Sequence, residues 1–326
     1  MDTVDRDILN HLQYDFPVSI RPFSDIADKV SISEDEVLSR IGELKKNGVI
    51  RQISAIFDSK KVGYRGVLVA FKVPGDRLEK IAEELNGNPG ISHNYLRDCE
   101  YNLWFTLTVP EDRELEEEVR VIAGEKGITQ WLFLPTLRQF KISFRLDMNE
   151  SAGNANTLSH HSKKVHEQNG QAIVDKDFVR ELQKDLPLCP HPYRQSSEAL
   201  GCTEEKVVEK VKHYIETGII RRVASVLRPV HAGFPANVLV VWAAEPDKIE
   251  LLGKIAAGRN NVSHCYERPS SEQWPYSVYA MIHGRSIDEC RAVIGEIERE
   301  SGVTDYRLLP TIKEYKKVRV EYYPVK

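Results

Sequence analysis

Gly48-Val49-Ile50-Arg51 returns as Gly218-Ile219-Ile220-Arg221, 170 residues further on. The same offset pairs Val4-Asp5-Arg6-Asp7 with Val174-Asp175-Lys176-Asp177, and Asp15-Phe16-Pro17 with Asp185-Leu186-Pro187. Beyond these, Ile91-Ser92-His93-Asn94-Tyr95-Leu96-Arg97 meets Val262-Ser263-His264-Cys265-Tyr266-Glu267-Arg268, and Leu134-Pro135-Thr136 meets Leu309-Pro310-Thr311. The matches keep their order along a whole half, and the offset grows only where loops absorb insertions. The chain is therefore one unit written twice, and each half must be read as a copy of the other.

Each copy opens with helical patterning. Val4, Ile8, Leu9 and Leu12 recur at helical spacing until Phe16-Pro17, where proline cannot continue a helix. A second short helix is predicted over 23–30. Ser33 reads as the N-cap of a third, with Glu36 completing a capping box. Val37, Ile41 and Leu44 form its buried stripe, and Asn47-Gly48 ends it. In the second copy Thr203 is the cap, and Val207, Val211 and Tyr214 are the stripe. Three short helices with a tight turn make a helix-turn-helix, and the β-rich run 49–57 is predicted to follow as a wing.

The remainder of each copy alternates strand and helix. In the first copy 66–73 reads as a strand, 76–85 as a helix, 91–97 and 102–109 as paired strands, 112–124 as a helix and 128–144 as extended. This β-α-β-β-α-β order is that of a ferredoxin-like domain. Helices on one face leave the other face of the sheet to be covered, and duplication lets two such domains close sheet against sheet. The fold class expected is α+β, a tandem winged helix-turn-helix plus ferredoxin-like unit. Its divisions are 1–60 and 61–148 for the first copy, a linker at 149–171, then 172–230 and 231–326. The linker is rich in Asn, Ser, Gly and His and nearly free of apolar residues. Its His160, His161 and His166 invite a metal site, but a solvated linker would not fix ligand geometry.

Composition narrows the function. The chain has 326 residues, is 41% hydrophobic and 29% charged, and shows no apolar run long enough for a membrane span. Its N-terminus has neither a basic region nor an apolar run, so no signal peptide is expected. Five scattered cysteines without a Cys-x-x-Cys pair fit a reducing cytoplasm. A net charge of −4 weighs against a nucleic-acid partner. So does the third helix, whose N-terminal end reads Glu34-Asp35-Glu36 in one copy and Glu204-Glu205 in the other. Such acids favour a helix N-terminus but repel phosphates, so the heads are expected to pack rather than to bind DNA.

The chemistry is expected on the second strand of each ferredoxin-like domain, where both copies carry Ser-His-x-Tyr-x-Arg. Alternate side chains of a strand share a face, so His93, Tyr95 and Arg97 line up, as do His264, Tyr266 and Arg268. The bland alternative is a solvated face with a satisfied histidine, but the triplet occurs twice at corresponding places. Arg51, Arg221 and Arg222 follow the head motifs, and Trp274 and Tyr276 supply aromatic surface. His283 has Thr108 as its counterpart. Arginine, tyrosine and histidine beside an aromatic wall suit a large planar ligand bearing carboxylates. No P-loop, G-x-G-x-x-G, G-x-S-x-G or H-E-x-x-H is present.

At these residues the sequence resembles the siroheme decarboxylases, a family with an Lrp/AsnC-like fold built from two related subunits or one fused chain. The resemblance is carried by Ser92-His93-Asn94-Tyr95-Leu96-Arg97-Asp98 with Tyr101-Asn102-Leu103-Trp104-Phe105, by Ser263-His264-Cys265-Tyr266-Glu267-Arg268-Pro269 with Trp274-Pro275-Tyr276, and by the head motifs. It covers the chain apart from the linker. It implies loss of two acetate carboxyl groups from siroheme, giving 12,18-didecarboxysiroheme for heme or heme d1 biosynthesis. It implies no cofactor beyond the iron that the substrate carries. His93 and His264 are then acid/base candidates or iron ligands, and Tyr95 and Tyr266 orient or relay protons. Arg51, Arg97, Arg221, Arg222 and Arg268 hold carboxylates, and Trp274 and Tyr276 wall the ligand. The rivals are an Lrp/AsnC-type regulator sensing a tetrapyrrole or small molecule, and an inactive heme carrier. The copies differ at Gln52/Arg222, Asp98/Pro269 and Thr108/His283, which points to an internal heterodimer and leaves further self-association open.

Overall fold

A computed structural model describes residues 1–142, 174–227 and 235–324. The linker expected at 149–171, with its three histidines, lies outside the described residues. The chain divides into two compact units. One contains both heads and the C-terminal residues from Tyr322; the other contains both β-rich domains.

In the first head, α1 (Thr3–Tyr14) starts at Asp2, which forms a reciprocal capping box with Asp5. Helix α2 (Pro22–Val30) has proline in its first turn, and α3 (Glu34–Lys46) is capped by Ser33. Ile8, Leu9, Leu12, Phe23, Ile26, Val37 and Ile41 are buried, as the helical spacing requires. The capping box expected at Ser33 forms by half. Ser33 Oγ accepts from Glu36 N, but the Glu36 carboxylate turns to Arg40, which also holds Asp2 and Asp5. The second head repeats the plan with α6 (Lys176–Leu182), α7 (Arg194–Ala199) and α8 (Glu204–Glu216), the last capped by Thr203.

The expected wing is not a hairpin within one head. Strand β1 (Ile50–Phe57) pairs antiparallel with β7 (Ile220–Leu227) of the other copy, with Ser54 opposite Ala224. A lone strand leaves its backbone groups unpaired, and its equivalent in the duplicate supplies the partner. Asp185 reinforces this exchange by accepting from Ile53 N and pairing with Lys45.

The second unit has the β-α-β-β-α-β order twice. The first copy runs β2 (Tyr64–Phe71), α4 (Leu78–Asn86), β3 (Ile91–Arg97), β4 (Leu103–Pro110), α5 (Leu115–Glu125), then β5 (Trp131–Leu134) and β6 (Arg138–Ile142). The second runs β8 (Ala236–Trp242), α9 (Ile249–Ala257), β9 (Val262–Glu267), β10 (Val278–Gly284), α10 (Ile287–Ser301) and β11 (Tyr306–Lys317). Each copy has the same antiparallel order, β5-β2-β4-β3 and β11-β8-β10-β9.

The last strand of each copy then leaves its own sheet. Leu134 pairs with β2, whereas 138–142 pairs with β9 of the other copy. Likewise 306–310 pairs with β8, whereas 311–317 pairs with β3. Both crossings fall at Leu-Pro-Thr, where proline contributes no ladder donor.

Three cores result. The helix side of the first sheet buries Val67, Val69, Phe71, Leu103, Phe105 and Leu107 against α4 and α5. The helix side of the second buries Val238, Val240, Trp242, Val278, Ala280 and Ile282 against α9 and α10. A third cluster combines Ala70, Trp104 and Leu134 of the first copy with Leu239, Trp274, Tyr279 and Leu309 of the second. The sheets thus close face to face, as expected for a duplicated domain with one helix-free face.

Candidate active site

Alternation along the strands determines which residues look between the sheets. On β4, Leu103, Phe105 and Leu107 belong to the helix-side core and Trp104 to the inter-sheet cluster. On β3, Ile91 is in the helix-side core, and Asn94 Nδ2 donates to Ala82 O and Asn86 Oδ1 of α4. His93, Tyr95 and Arg97 therefore take the inner face. On β9, Val262 and Cys265 are in the helix-side core, so His264, Tyr266 and Arg268 take the inner face of the second sheet.

The two triplets have matching geometry. His93 and Tyr95 ring centroids are 6.1 Å apart at 35°, and those of His264 and Tyr266 are 6.1 Å apart at 34°. The Arg97 guanidinium lies 5.3 Å from the Tyr95 ring, and that of Arg268 lies 5.0 Å from the Tyr266 ring. Each strand carries a register shift next to its histidine. Such a bulge changes the aim of neighbouring side chains, and the preceding serine meets the imidazole in both copies. Ser92 Oγ is 2.9 Å from His93 Nδ1, and Ser263 Oγ is 2.8 Å from His264 Nδ1. Both histidines and both tyrosines are half-buried, and Tyr95 stands opposite Trp104 and Tyr266 opposite Tyr279, two members of the inter-sheet core.

The two arginines have an occupation the motif did not reveal. Arg97 is 4% exposed, and its Nη1 donates to Leu309 O at 2.7 Å and Thr311 Oγ1 at 3.2 Å. Arg268 makes the reciprocal bonds to Leu134 O and Thr136 Oγ1. Each arginine thus grips the Leu-Pro-Thr segment of the other copy, which accounts for two repeated motifs with one contact. Burial lowers both guanidinium pKa values, that of Arg97 to about 10. Expected as carboxylate holders, each is instead buried with its Nη1 on one backbone carbonyl and one threonine hydroxyl, which satisfies acceptors of a crossing strand.

Trp274 is likewise enclosed. It is 1% exposed and donates from Nε1 to Tyr279 Oη at 2.7 Å. It belongs to the inter-sheet core, with half-buried Tyr276 packed on it at 4.9 Å between ring centroids. Arg51, Arg221 and Arg222 stand in the head unit on β1 and β7, where Arg221 pairs with Asp58 at 2.9 Å. Within each copy the structure brings together the histidine, the tyrosine and the buried arginine of the motif. Sequence reasoning gave no role to Ser92, Ser263 or Asn237, although the serines were visible as constant members of the repeated motif.

Among the described residues no cluster of three or more His, Cys, Asp or Glu has metal-site geometry, and no helix is long and apolar enough to cross a membrane. The AsnC-like ligand binding domain matches residues 61–141 and 231–316. The siroheme decarboxylase NirDL-like helix-turn-helix domain matches 5–51 and 175–221. The siroheme decarboxylase of Hydrogenobacter thermophilus is 38% identical over 317 residues, covering 97% of this chain and 94% of that protein. The chain belongs to the siroheme decarboxylase family.

A solved siroheme decarboxylase, NirDL in co-complex with an iron-uroporphyrin III analogue, superposes with a TM-score of 0.74 at 33% identity. It covers 99% of this chain and 95% of that one. The siroheme decarboxylase alpha subunit of Desulfovibrio desulfuricans is 40% identical over 149 residues, 45% of this chain and 86% of that subunit. The family thus includes both a separate subunit the length of one copy and single chains that carry two.

Proposed function

We propose that the chain decarboxylates siroheme, removing two acetate carboxyl groups to give 12,18-didecarboxysiroheme. The observation that carries this is the pair of half-buried His–Tyr sets on the facing sheets of a chain in this family. In each step the bond between the methylene carbon and the carboxylate breaks, and carbon dioxide leaves. The electron pair passes through the methylene carbon into the macrocycle, and a proton then completes a methyl group. One proton is taken up for each carboxylate lost, and no oxidant or reductant enters, so the reaction asks for no cofactor beyond the iron that siroheme carries.

His93 and His264 are the candidates for proton transfer or for binding that iron, and Tyr95 and Tyr266 orient or relay. Arg97 and Arg268 act beneath the tyrosines, fixing their strands. A substrate role for Arg51, Arg221 and Arg222 rests on the family resemblance alone. The two copies act as an internal pseudo-heterodimer, a reading supported by the separate alpha subunit of the relative. The five cysteines are unpaired, which suits a reducing cytoplasm.

The heads are proposed to pack rather than to bind DNA. Their helix-leading acids are engaged internally: Glu34 with Arg21, and Glu204 with Arg194 and His191. The decisive experiment is anaerobic incubation with siroheme followed by mass analysis. Loss of two carbon dioxide units is expected, and unchanged siroheme would overturn the assignment.

A further inference from the structure

Behind His264 runs a chain of hydrogen bonds whose direction can be worked out atom by atom. Asn237 on β8 lies opposite His283 on β10. Asn237 Nδ2 faces Pro235 O at 3.5 Å, which turns Oδ1 toward His283 Nδ1. An amide oxygen only accepts, so His283 Nδ1 carries the proton. His283 is 7% exposed; burial, with His264 and Lys317 adding to it, depresses its pKa to about 3, so the ring is neutral. Its Nε2 then has a lone pair, and Ser263 Oγ, 2.7 Å away, donates to it. A serine hydroxyl has one proton, so Ser263 can only accept from its other neighbour, His264 Nδ1 at 2.8 Å. When its ring holds a single proton, His264 therefore carries it on Nδ1, with the lone pair on Nε2.

The first copy has nothing equivalent. The residues corresponding to Asn237 and His283 are Gly66 and Thr108, paired on β2 and β4. Glycine has no side chain, and a threonine hydroxyl both donates and accepts, so the direction of the Ser92–His93 bond is not dictated from that side.

We propose that Asn237, His283 and Ser263 are positioning residues that hold His264 as its Nδ1–H tautomer, making His264 Nε2 the electron-pair donor of the site. The assignment of roles rests on the proposed decarboxylation; the tautomer does not. A partner on the far nitrogen commonly fixes the working nitrogen of an imidazole.

The test uses the full chain with ¹⁵N-labelled histidine at mildly alkaline pH, observed by two-bond ¹H–¹⁵N correlation. His264, identified by its loss in His264→Gln, is expected in the Nδ1–H form. His283→Leu deprives Ser263 of its acceptor and is expected to move His264 toward the Nε2–H form. His283→Gln, whose amide oxygen can accept from Ser263, is expected to keep it, and His93 should not respond to either change. Ser263→Ala removes the same bridge if His283→Leu fails to fold. A wild-type His264 in the Nε2–H form, or one indifferent to both His283→Leu and Ser263→Ala, overturns the relay. With siroheme, His283→Leu is expected to lower kcat about 10- to 100-fold with little change in KM, and His283→Gln to restore most of it. A switched tautomer with intact turnover overturns the role given to His264. Absence of turnover in the wild type overturns the decarboxylase assignment instead.

Discussion

Replacing Arg97 by alanine separates a clamp from a substrate anchor. Arg97 donates to Leu309 O at 2.7 Å and to Thr311 Oγ1 at 3.2 Å, and lies over Tyr95. Hydrogen bonds from a charged donor contribute about 1.5–3 kcal/mol each, so two give roughly 3–6. A desolvated cation–π contact adds about 1–2 kcal/mol. Against this stands the cost of burying the cation. A fall in pKa from 12.5 to about 10 corresponds to roughly 3 kcal/mol. The net loss is about 3 kcal/mol. For a unit of this size that corresponds to a fall of roughly 6–12 °C in Tm. Arg97→Met keeps the side-chain volume and sheds the buried charge, leaving chiefly the orphaned Leu309 carbonyl, so about 1–2 kcal/mol is expected. Denaturant titration and thermal melting of the full chain measure both. If Arg97→Ala melts as the wild type does while siroheme turnover collapses, the guanidinium serves the substrate and the clamp is refuted.

His93→Ala and His264→Ala are each expected to lower siroheme turnover by about two orders of magnitude or more without altering Tm; full activity in both would remove them from the chemistry. Gly253→Ala is expected to destabilise by about 1–3 kcal/mol despite alanine's better helix propensity, because its Cβ would run into the Phe140 ring that the first copy lays on α9; a stability equal to wild type, read by melting, would contradict that approach. His283 is held neutral when folded, whereas the unfolded chain protonates it below its ordinary value of 6.5. The unfolded state then binds more protons between about pH 6.5 and 3, so stability falls as pH falls through that window. From pH 7 to about 4.5 this one group costs roughly 2–3 kcal/mol, and His283→Leu should lose that much less than wild type over the same range. In a gel shift at low salt, DNA carrying candidate promoters is expected to stay unretarded; a salt-dependent complex would return the heads to a binding role.

The elements of the fold were legible because their signals are local. Helical stripes such as Val37, Ile41 and Leu44, and the alternation around His93 and Tyr95, depend on near neighbours in sequence. The partners of edge strands were not legible. The pairing of β1 with β7, and of 311–317 with β3, is chosen among strands of equal propensity by long-range closure alone. The same applies to the site. Repetition singled out Ser-His-x-Tyr-x-Arg, but the motif could not say that its arginine faces a backbone carbonyl 212 positions away. Nor could His283 be joined to Ser263 before β9 and β10 were in register. The Glu36 cap failed for a related reason. A nearby Arg40, already drawn in by Asp2 and Asp5, outcompetes a backbone N–H for that carboxylate.

The exchange of final strands has a consequence for how the chain is made. Strand β3 is complete as sequence once residue 97 has left the ribosome, yet its neighbour is supplied by residues 311–317, made only much later in synthesis. Throughout the intervening elongation, at roughly 5–20 residues per second, that edge has no native partner. An uncovered edge is a template for any passing strand. The nascent first copy therefore depends on the arrival of the second to become inert toward its surroundings. Loss of function on deletion of 311–317 should be accompanied by loss of solubility, since the strand that completes the sheet is also what seals its edge.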